Sequence, residues 1–285
     1  MKQLDRYRNS FSIFKETFSS FFEERAHLHA ATISYYTLFA MIPLLYLIIV
    51  SFGRILGESY CIQVITDLFK NNIGLNDIHL FTDYIKTIHQ QSRSWLLNVS
   101  MIGALLYSCS AFMVSLKHSM NDFFEIEPNK QRKINLFLEL IKFRFLSLSY
   151  LALIALIIFM LYFLQVFAFS VLSSWFSEVS VGYLFLQYFF SILLNFSIIT
   201  FVFKYIHDGK VSWKIASKGG LLTAFLLFFS QMVIKWYLQR YFFLGKGDLI
   251  GSIFILMAWV FYSAQVIFFG AKFTYIYGKN IHKTQ

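Results

Sequence analysis

The side chains that could do chemistry within the long apolar runs of this chain are neutral amides and one lysine. All 15 acidic residues of the sequence lie outside those runs. Proton-coupled pumps commonly place carboxylates at mid-membrane depth, where an ionisable group is expensive and is kept for function. A carboxylate relay is therefore not expected, and the polar side chains that remain within the runs are Asn98, Gln165, Gln187, Asn195, Gln231, Gln265 and Lys235.

Three of these amides are the predicted substrate-binding residues. Asn195, Gln231 and Gln265 lie well inside three late runs, whose helices could face one another. The alternative is that they form hydrogen bonds between helices, each contributing about 0.6–2 kcal/mol. Lys235, near the end of its run, either extends its ammonium group to the lipid headgroups or contacts an anionic ligand in a cavity.

The sequence has no pattern typical of a catalytic or metal site. His27 and His29 are two residues apart, so a helix would point them in different directions. Zinc-ligand spacing, a phosphate-binding loop, a dinucleotide fingerprint and a nucleophile elbow are all missing. We therefore expect no catalytic residue, no bound metal and no cofactor, and predict that the protein is not an enzyme.

The elements that must position these amides are membrane helices, as the composition indicates. The chain has 285 residues, of which 58% are hydrophobic and 14% charged. A soluble domain carries about 45–50% apolar and about 25% charged residues. We predict an all-α polytopic membrane bundle that forms one integral membrane domain over residues 1–285. Its six transmembrane helices are expected at residues 33–52, 95–116, 145–171, 183–206, 219–238 and 250–271.

Three segments outside the spans have their own predicted structure. Residues 1–30 form an amphipathic segment whose phenylalanines recur at helical spacing, so a helix either lies in the cytoplasmic interface or packs under the bundle. The outer loop 53–94 reads as short amphipathic helices on the outer face. Residues 272–285 are expected to be a cytoplasmic tail.

The orientation follows from the distribution of lysine and arginine. The N-terminal segment, residues 117–144, residues 204–218 and the tail together carry 18 of the 25 basic residues. Basic loops remain on the cytoplasmic side. Both termini are therefore expected in the cytoplasm, in a multi-pass protein of the bacterial inner membrane.

Small residues four positions apart predict close helix contacts. One pair is Gly220 and Ala224, and a second group is Ser100, Ala104 and Ser108. Small side chains let helix backbones approach where lipid offers no hydrophobic drive. We expect helices to pack closely at both places.

Several motifs follow one another in an order that resembles the YihY/BrkB family of six-span bacterial inner-membrane proteins, historically labelled ribonuclease BN. The first span has a tyrosine pair followed by an apolar Pro step, and a central Asn precedes the basic loop. A Trp-containing segment then leads to a Gly entry into the fifth span. The positions that carry the resemblance are Tyr35, Tyr36, Pro43, Asn121, Trp213, Gly220, Trp259, Tyr262 and Gly270.

The chain departs from the family pattern at two positions. His207 stands where the family often has Pro, and Lys272 stands where it often has an acid. The resemblance implies an integral membrane protein. Members have been labelled a tRNA-processing ribonuclease, a serum-resistance virulence factor and a transporter of lipids or lipopolysaccharide precursors.

Of these functions, the residues favour a protein that moves or binds a lipid or a lipid-linked anionic molecule. Amides at depth and basic cytoplasmic loops would attract an anionic headgroup. The alternative is a non-transporting envelope scaffold, in which the same amides hold the helices together. Ribonuclease activity is the least favoured, because the loop acids are scattered and phosphodiester hydrolysis generally uses grouped metal-binding carboxylates. The expected partners are therefore membrane lipids, with homo-oligomer or envelope-protein contacts possible and no nucleic acid.

Overall fold

The computed structural model describes residues 2–57, 95–126, 181–241 and 249–284, with residues 59 and 63. It contains six α-helices, and no strand occurs within these ranges. They are α1 (Lys2–Glu23), α2 (Ala26–Leu56), α3 (Trp95–Phe123), α4 (Val181–Tyr205), α5 (Trp213–Tyr241) and α6 (Leu249–Thr284). The all-helical class is thereby confirmed.

Four of these helices contain a segment long and apolar enough to cross a membrane. The segments are Asn98–Phe123, Tyr188–Tyr205, Trp213–Ile234 and Ile253–Ile281. They correspond to the second, fourth, fifth and sixth predicted spans. The first predicted span lies in α2, whose side chains are described only as far as residue 41. The third predicted span and nearly all of the loop 53–94 lie outside the described residues.

Several helices extend beyond the predicted ends of their spans. α3 continues through Asn121 to Phe123, where a loop was expected, and α5 begins six residues early at Trp213. α6 continues to Thr284, so the segment predicted as a cytoplasmic tail is helical. Thr274 and Ile276 on this extension are buried, with exposures of 0% and 2%. Tertiary packing therefore sustains the helix beyond its apolar run.

The chain divides into two compact units. The first contains Met1–Ala26, Leu116–Phe228 and Val266–Gln285, and the second contains His27–Ser115 and Phe229–Gln265. In the first unit, the rings of Phe123 and Phe268 stack with their centroids 4.9 Å apart. Phe203 on α4 is also fully buried. In the second unit, the buried apolar side chains include Ala30, Ile33, Met113, Ile255, Leu256 and Ala264.

Within the first unit, α5 and α6 pack through two reciprocal Gly–Thr contacts. A methyl group on Gly219 would lie 2.8 Å from Thr274 Cβ, and one on Gly270 would lie 2.8 Å from Thr223 Cβ. Each threonine hydroxyl also donates to the glycine carbonyl four residues earlier, Thr223 to Gly219 at 2.7 Å and Thr274 to Gly270 at 2.6 Å. The two helices therefore interlock, with each threonine over the other helix's glycine.

The predicted contact at Gly220 and Ala224 is confirmed by a third such approach. A methyl group on Gly220 would lie 3.2 Å from Thr200 Cα on α4, and Ala224 is fully buried. On α3, only Ser108 of the second predicted group is buried. Ser100 and Ala104 are exposed, so the predicted contact there is wrong at those two positions. Small residues permit close approach but do not require it.

Candidate functional site

A buried lysine on α6 lies between two carboxylates from distant parts of the chain. Lys272 is 1% exposed, and its ammonium group donates hydrogen bonds to Glu24 Oε1 and, at 2.9 Å, to Glu125 Oε1. The Tyr275 hydroxyl donates to Glu125 Oε2 at 2.7 Å, and Lys279 Nζ lies 3.8 Å from the same oxygen. These five residues are called the Lys272 cluster below.

The charges of the Lys272 cluster balance, with two ammonium groups and two carboxylates. A buried ion is stable only when it is paired and its hydrogen-bonding groups are satisfied. Lys272 meets this condition through its two carboxylates and through the ring of Tyr275, whose centroid lies 5.1 Å from Nζ. Glu24 Oε2 is buried with no hydrogen-bond partner. The ammonium group of Lys272 therefore has its full set of partners, whereas the Glu24 carboxylate lacks a hydrogen-bond partner at one oxygen.

The end of α3 places Glu125 in an unusual backbone conformation. Ile126 N donates to Asn121 O at 2.9 Å and Glu125 N donates to Asp122 O at 3.0 Å, which is the Schellman arrangement at a helix end. This arrangement requires a left-handed residue, and Glu125 has φ 51°. A non-glycine residue pays about 1–2 kcal/mol for that conformation. The contacts of its carboxylate with Lys272 and Tyr275 explain why a glutamate occupies the position.

The junction of α1 and α2 places Glu24 in a similar way. Arg25 has φ 51°, and its amide donates to Phe22 O at 3.1 Å. Glu24 follows the last residue of α1, so both carboxylates that bind Lys272 stand at the C-terminal ends of helices. The negative ends of the two helix dipoles favour a cation there. Lys272 thereby joins the ends of α1 and α3 to α6.

The two carboxylates that share Lys272 have pKa values shifted in opposite directions. Burial raises the pKa of the Glu24 carboxyl above its usual value, and Lys272 opposes this only in part. Burial also acts to raise the pKa of Glu125, but the hydrogen bonds from Tyr275 and Lys272 outweigh it and lower the pKa. Glu125 is therefore the carboxylate more firmly held in its charged form.

A second polar group ties α3 to the segment between α4 and α5. Asn121 Nδ2 donates to Asp208 Oδ2 at 3.0 Å, and the Asp208 amide donates back to Asn121 Oδ1 at 2.9 Å. Lys117 Nζ lies 2.7 Å from Asp208 Oδ1. Burial acts to raise the pKa of Asp208, but the hydrogen bonds from Lys117 and Asn121 lower it overall. Asn121, singled out by its sequence motif, is thus a structural bridge.

His207, one of the two departures from the family pattern, is buried and fully hydrogen-bonded. Its Nδ1 accepts the Gly209 amide at 3.0 Å, so Nε2 carries the proton and donates to Phe203 O at 2.7 Å. Its ring lies 4.1 Å from that of Phe124. Burial lowers the pKa of His207. The neutral imidazole closes the turn after α4, which a proline could not do in the same way.

Lysines and aromatic rings meet where α5 begins. Lys204 Nζ donates to Val211 O at 2.6 Å and lies 5.9 Å from the ring centroid of Trp213. Trp213 is 53% exposed and packs edge-on against Tyr205 at 5.8 Å. Lys218 donates to the Tyr277 hydroxyl at 2.5 Å. This basic aromatic group, Lys204, Tyr205, Trp213, Lys218 and Tyr277, has the composition of a membrane-interface anchor.

The predicted substrate-binding residues lie in both units. Asn195 is half-buried on α4 in the first unit. Gln231 on α5 and Gln265 on α6 are half-buried in the second unit. The side chain of Lys235 lies outside the described residues. The role of all four in binding stays a prediction.

The positions that carry the family resemblance have varied surroundings. Gly220 and Gly270 make the close contacts between helices described above. Asn121 binds Asp208 in the segment between α4 and α5. The Tyr35 ring lies 5.5 Å from that of Tyr36 and 4.6 Å from that of Phe39. Trp259 Nε1 is buried with no hydrogen-bond partner, and Tyr262 is 52% exposed. Pro43 lies in α2 beyond the described side chains.

The Lys272 cluster was missed by reasoning from the sequence. Its carboxylates lie 248 and 147 positions from the lysine, so no local spacing connects them. The one available signal was a lysine directly after an apolar run, where the pattern of the family led us to expect an acid. A charge reversal at that position could have prompted a search for paired acids.

Within the described ranges, no group of three His, Cys, Asp or Glu side chains is arranged to hold a metal ion.

Comparison with known proteins identifies the family. Neither the curated proteins nor the solved structures contain a match to the chain. The family model described as Virulence factor BrkB matches residues 17–285, nearly the whole sequence. The chain therefore belongs to the Virulence factor BrkB (YihY/BrkB) family of membrane proteins.

Proposed function

We propose that this membrane protein binds and moves a lipid or a lipid-linked anionic molecule. The observation that carries the proposal is the state of Gln231 and Gln265. Both amides are half-buried on apolar helices of the same unit. A polar group in an apolar setting needs a hydrogen-bonding partner. A ligand's polar headgroup supplies that partner.

Amides suit a headgroup that crosses an apolar region. Each glutamine side chain offers two N–H donors and one carbonyl acceptor, and it carries no charge that must be desolvated. Such groups can hydrogen-bond phosphate or sugar oxygens in turn as a lipid passes. The sequence also predicts Asn195 and Lys235 as substrate-binding residues.

The basic aromatic group supports an anionic substrate. Trp213 and Tyr205 are exposed at an end of α5, beside Lys204, and Lys210 and Lys214 nearby are also exposed. Juxtamembrane lysines attract anionic headgroups by about 1 kcal/mol each. We assign this end to the cytoplasmic side of the bacterial inner membrane, because the basic residues concentrate there.

Lipid retention tests the binding half of the proposal. The Gln231→Leu/Gln265→Leu variant removes both amides at nearly constant volume. After purification in mild detergent, we expect wild-type protein to retain an anionic lipid, and this variant to retain at least fivefold less. Met232→Leu is the matched control, because Met232 is 63% exposed on the same helix and should retain lipid as wild type does. Equal retention by all three proteins would contradict the proposal.

The second candidate function is a non-transporting scaffold that contacts envelope proteins or another copy of the chain. The close Gly–Thr packing of α5 and α6 favours it, because such packing is typical of static bundles. A scaffold would co-purify stoichiometrically with a protein partner and would bind lipid no differently after loss of the two glutamines.

Ribonuclease activity is the least supported function, and we propose that the protein is not an enzyme. The acids nearest to the end of α3 are engaged with basic groups. Asp122 lies 3.7 Å from His118, and Glu125 belongs to the Lys272 cluster. Metal-dependent cleavage of tRNA by the purified protein, abolished by Asp122→Asn, would overturn this proposal.

A further inference from the structure

Helix α1 has three distinct faces, which indicate three different surroundings. Successive residues of an α-helix are separated by about 100° around the axis. Ile13 and Thr17 lie on one face and are 7% and 0% exposed. A second face carries Phe14, Phe18 and Phe22, which are 45%, 55% and 60% exposed and are called the Phe stripe below. The third face carries the exposed polar residues Ser12, Lys15, Glu16, Ser19 and Glu23.

A helix between protein and water needs only two faces, one apolar and one polar. The Phe stripe is a third face that is apolar and that stays about half exposed, even with Phe14 in contact with Phe269. Three aromatic rings on one exposed stripe would be costly in water, because burying a side chain of this size is favourable by about 1.5–3 kcal/mol. The stripe therefore requires an apolar occupant.

The contacts of α1 place it beside a membrane-spanning segment. The rings of Phe14 and Phe21 lie 5.5 Å and 5.7 Å from that of Phe269. Phe269 belongs to the span Ile253–Ile281, three residues before Lys272. Glu24, which directly follows the last residue of α1, binds Lys272. The helix thus lies where the apolar span meets a charged cluster, which is the depth of the boundary between acyl chains and headgroups.

We propose that the Phe stripe is inserted into the lipid at this boundary, with the first face on the protein and the third in water. Lys15 stands at the edge between the Phe stripe and the polar face, where its ammonium group can reach headgroup phosphates. The occupant is the bilayer that holds the spans, not a soluble protein. This inference depends on membrane location alone and not on lipid transport.

Spin labels at neighbouring positions of α1 test the proposal. In a Cys61→Ser/Cys109→Ser background, a nitroxide is attached to Phe18→Cys or to Ser19→Cys. The full chain is then reconstituted in phosphatidylcholine–phosphatidylglycerol vesicles. Power saturation compares collisions with oxygen, which concentrates in the acyl region, and with a water-soluble nickel chelate. We expect the oxygen-to-nickel ratio to be at least threefold higher for the label at position 18.

A second pair keeps the proposal falsifiable if the first variants fold poorly. Phe22→Cys should reproduce the behaviour of position 18, and Glu23→Cys that of position 19. Equal ratios within each pair would overturn the proposal, since the Phe stripe would then be no deeper than the polar face. Low collision rates with both reagents at positions 18 and 22 would also overturn it, because a protein partner would cover the stripe.

Discussion

At the residue scale, the burial of Lys272 determines which changes are costly. Its side chain is 1% exposed, whereas Glu24 is 24% and Glu125 is 47% exposed. If the lysine is removed, Glu125 can still reach water, and Glu24, whose pKa burial already raises, can take up a proton. If the carboxylates are neutralised, the ammonium group stays buried and loses its compensating charges. The cluster is therefore asymmetric, and mutations at its two ends should differ.

The first prediction follows from this asymmetry. The Glu24→Gln/Glu125→Gln variant should lose about 3–5 kcal/mol of unfolding free energy, because it leaves a buried charge uncompensated. Lys272→Met should lose only about 1–2 kcal/mol, and the triple variant should recover most of the loss. Unfolding in detergent, followed by tryptophan fluorescence, measures all three.

Lys279→Met is the matched control for these variants. Lys279 lies in the same cluster but is 45% exposed, so its loss should change stability by about 0.5 kcal/mol or less. A larger loss for Lys272→Met than for the double variant would show that the carboxylates, and not the lysine, are the groups that need compensation.

The second prediction concerns pH and His207. Because burial lowers the pKa of His207, the unfolded chain binds a proton more readily than the folded protein does. Stability is then fully present above the unfolded pKa of about 6.5 and is lost as pH falls from there through the folded pKa. His207→Gln should flatten the stability profile below about pH 6.5.

His118→Gln provides the comparison for this profile. The His118 side chain is 73% exposed, so His118→Gln controls for the loss of an imidazole that is not buried. An identical slope in the wild-type and His207→Gln proteins would show that His207 does not control stability in this range.

At the scale of elements, the third prediction tests the interlock of α5 and α6. Gly270→Ala places a methyl group against Thr223 and should cost about 1–3 kcal/mol. Gly103→Ala on α3 is the control, because nothing lies within 4 Å of that methyl position. It should gain up to about 1 kcal/mol from higher helix propensity. Thermal unfolding of both variants gives opposite shifts if the close contact exists.

A double variant separates overlap from other effects at Gly270. Thr223→Ala removes the hydroxyl and methyl groups that the new methyl would meet, so it should partly restore the stability of Gly270→Ala. Equal stabilities of the single and double variants would show that overlap with Thr223 is not the cause of the stability loss in Gly270→Ala.

The helices themselves were predictable from the sequence, and their ends and contacts were less so. Runs of apolar residues indicated α3 to α6, since a run of about 20 such residues suits a membrane span. Such runs do not mark where a helix ends when polar residues are buried, so the extension of α6 past Lys272 was missed. The Gly–Thr contacts recur as Gly-x-x-x-Thr on both helices, a spacing that the sequence displays without indicating the partner.

The site was predictable only in part, because its residues meet through tertiary packing. Asn121 was singled out by its motif, but its partner Asp208 lies 87 positions away. Gln231 and Gln265 were chosen for their depth in apolar runs, and both side chains are half-buried. Whether they bind a ligand depends on chemistry that only a lipid assay can measure.

At the scale of the whole molecule, the fourth prediction concerns orientation. The excess of basic residues in alternate loops predicts that both termini lie in the cytoplasm. A green fluorescent protein fused after Gln285 should fluoresce, and alkaline phosphatase fused there should be inactive. Active phosphatase at this position would reverse the topology and would place the basic aromatic group on the outer side.

Transbilayer movement of a labelled lipid distinguishes a protein that moves lipid, as we propose, from one that does not. Purified protein is reconstituted in vesicles with a trace of fluorescent phosphatidylglycerol, and dithionite bleaches the outer leaflet. We predict that wild-type protein exposes more than half of the inner-leaflet probe within minutes, and that Gln231→Leu/Gln265→Leu slows this at least tenfold while Met232→Leu does not. Protection of the inner leaflet equal to that of empty vesicles, across a panel of anionic and lipid-linked probes, would contradict the account.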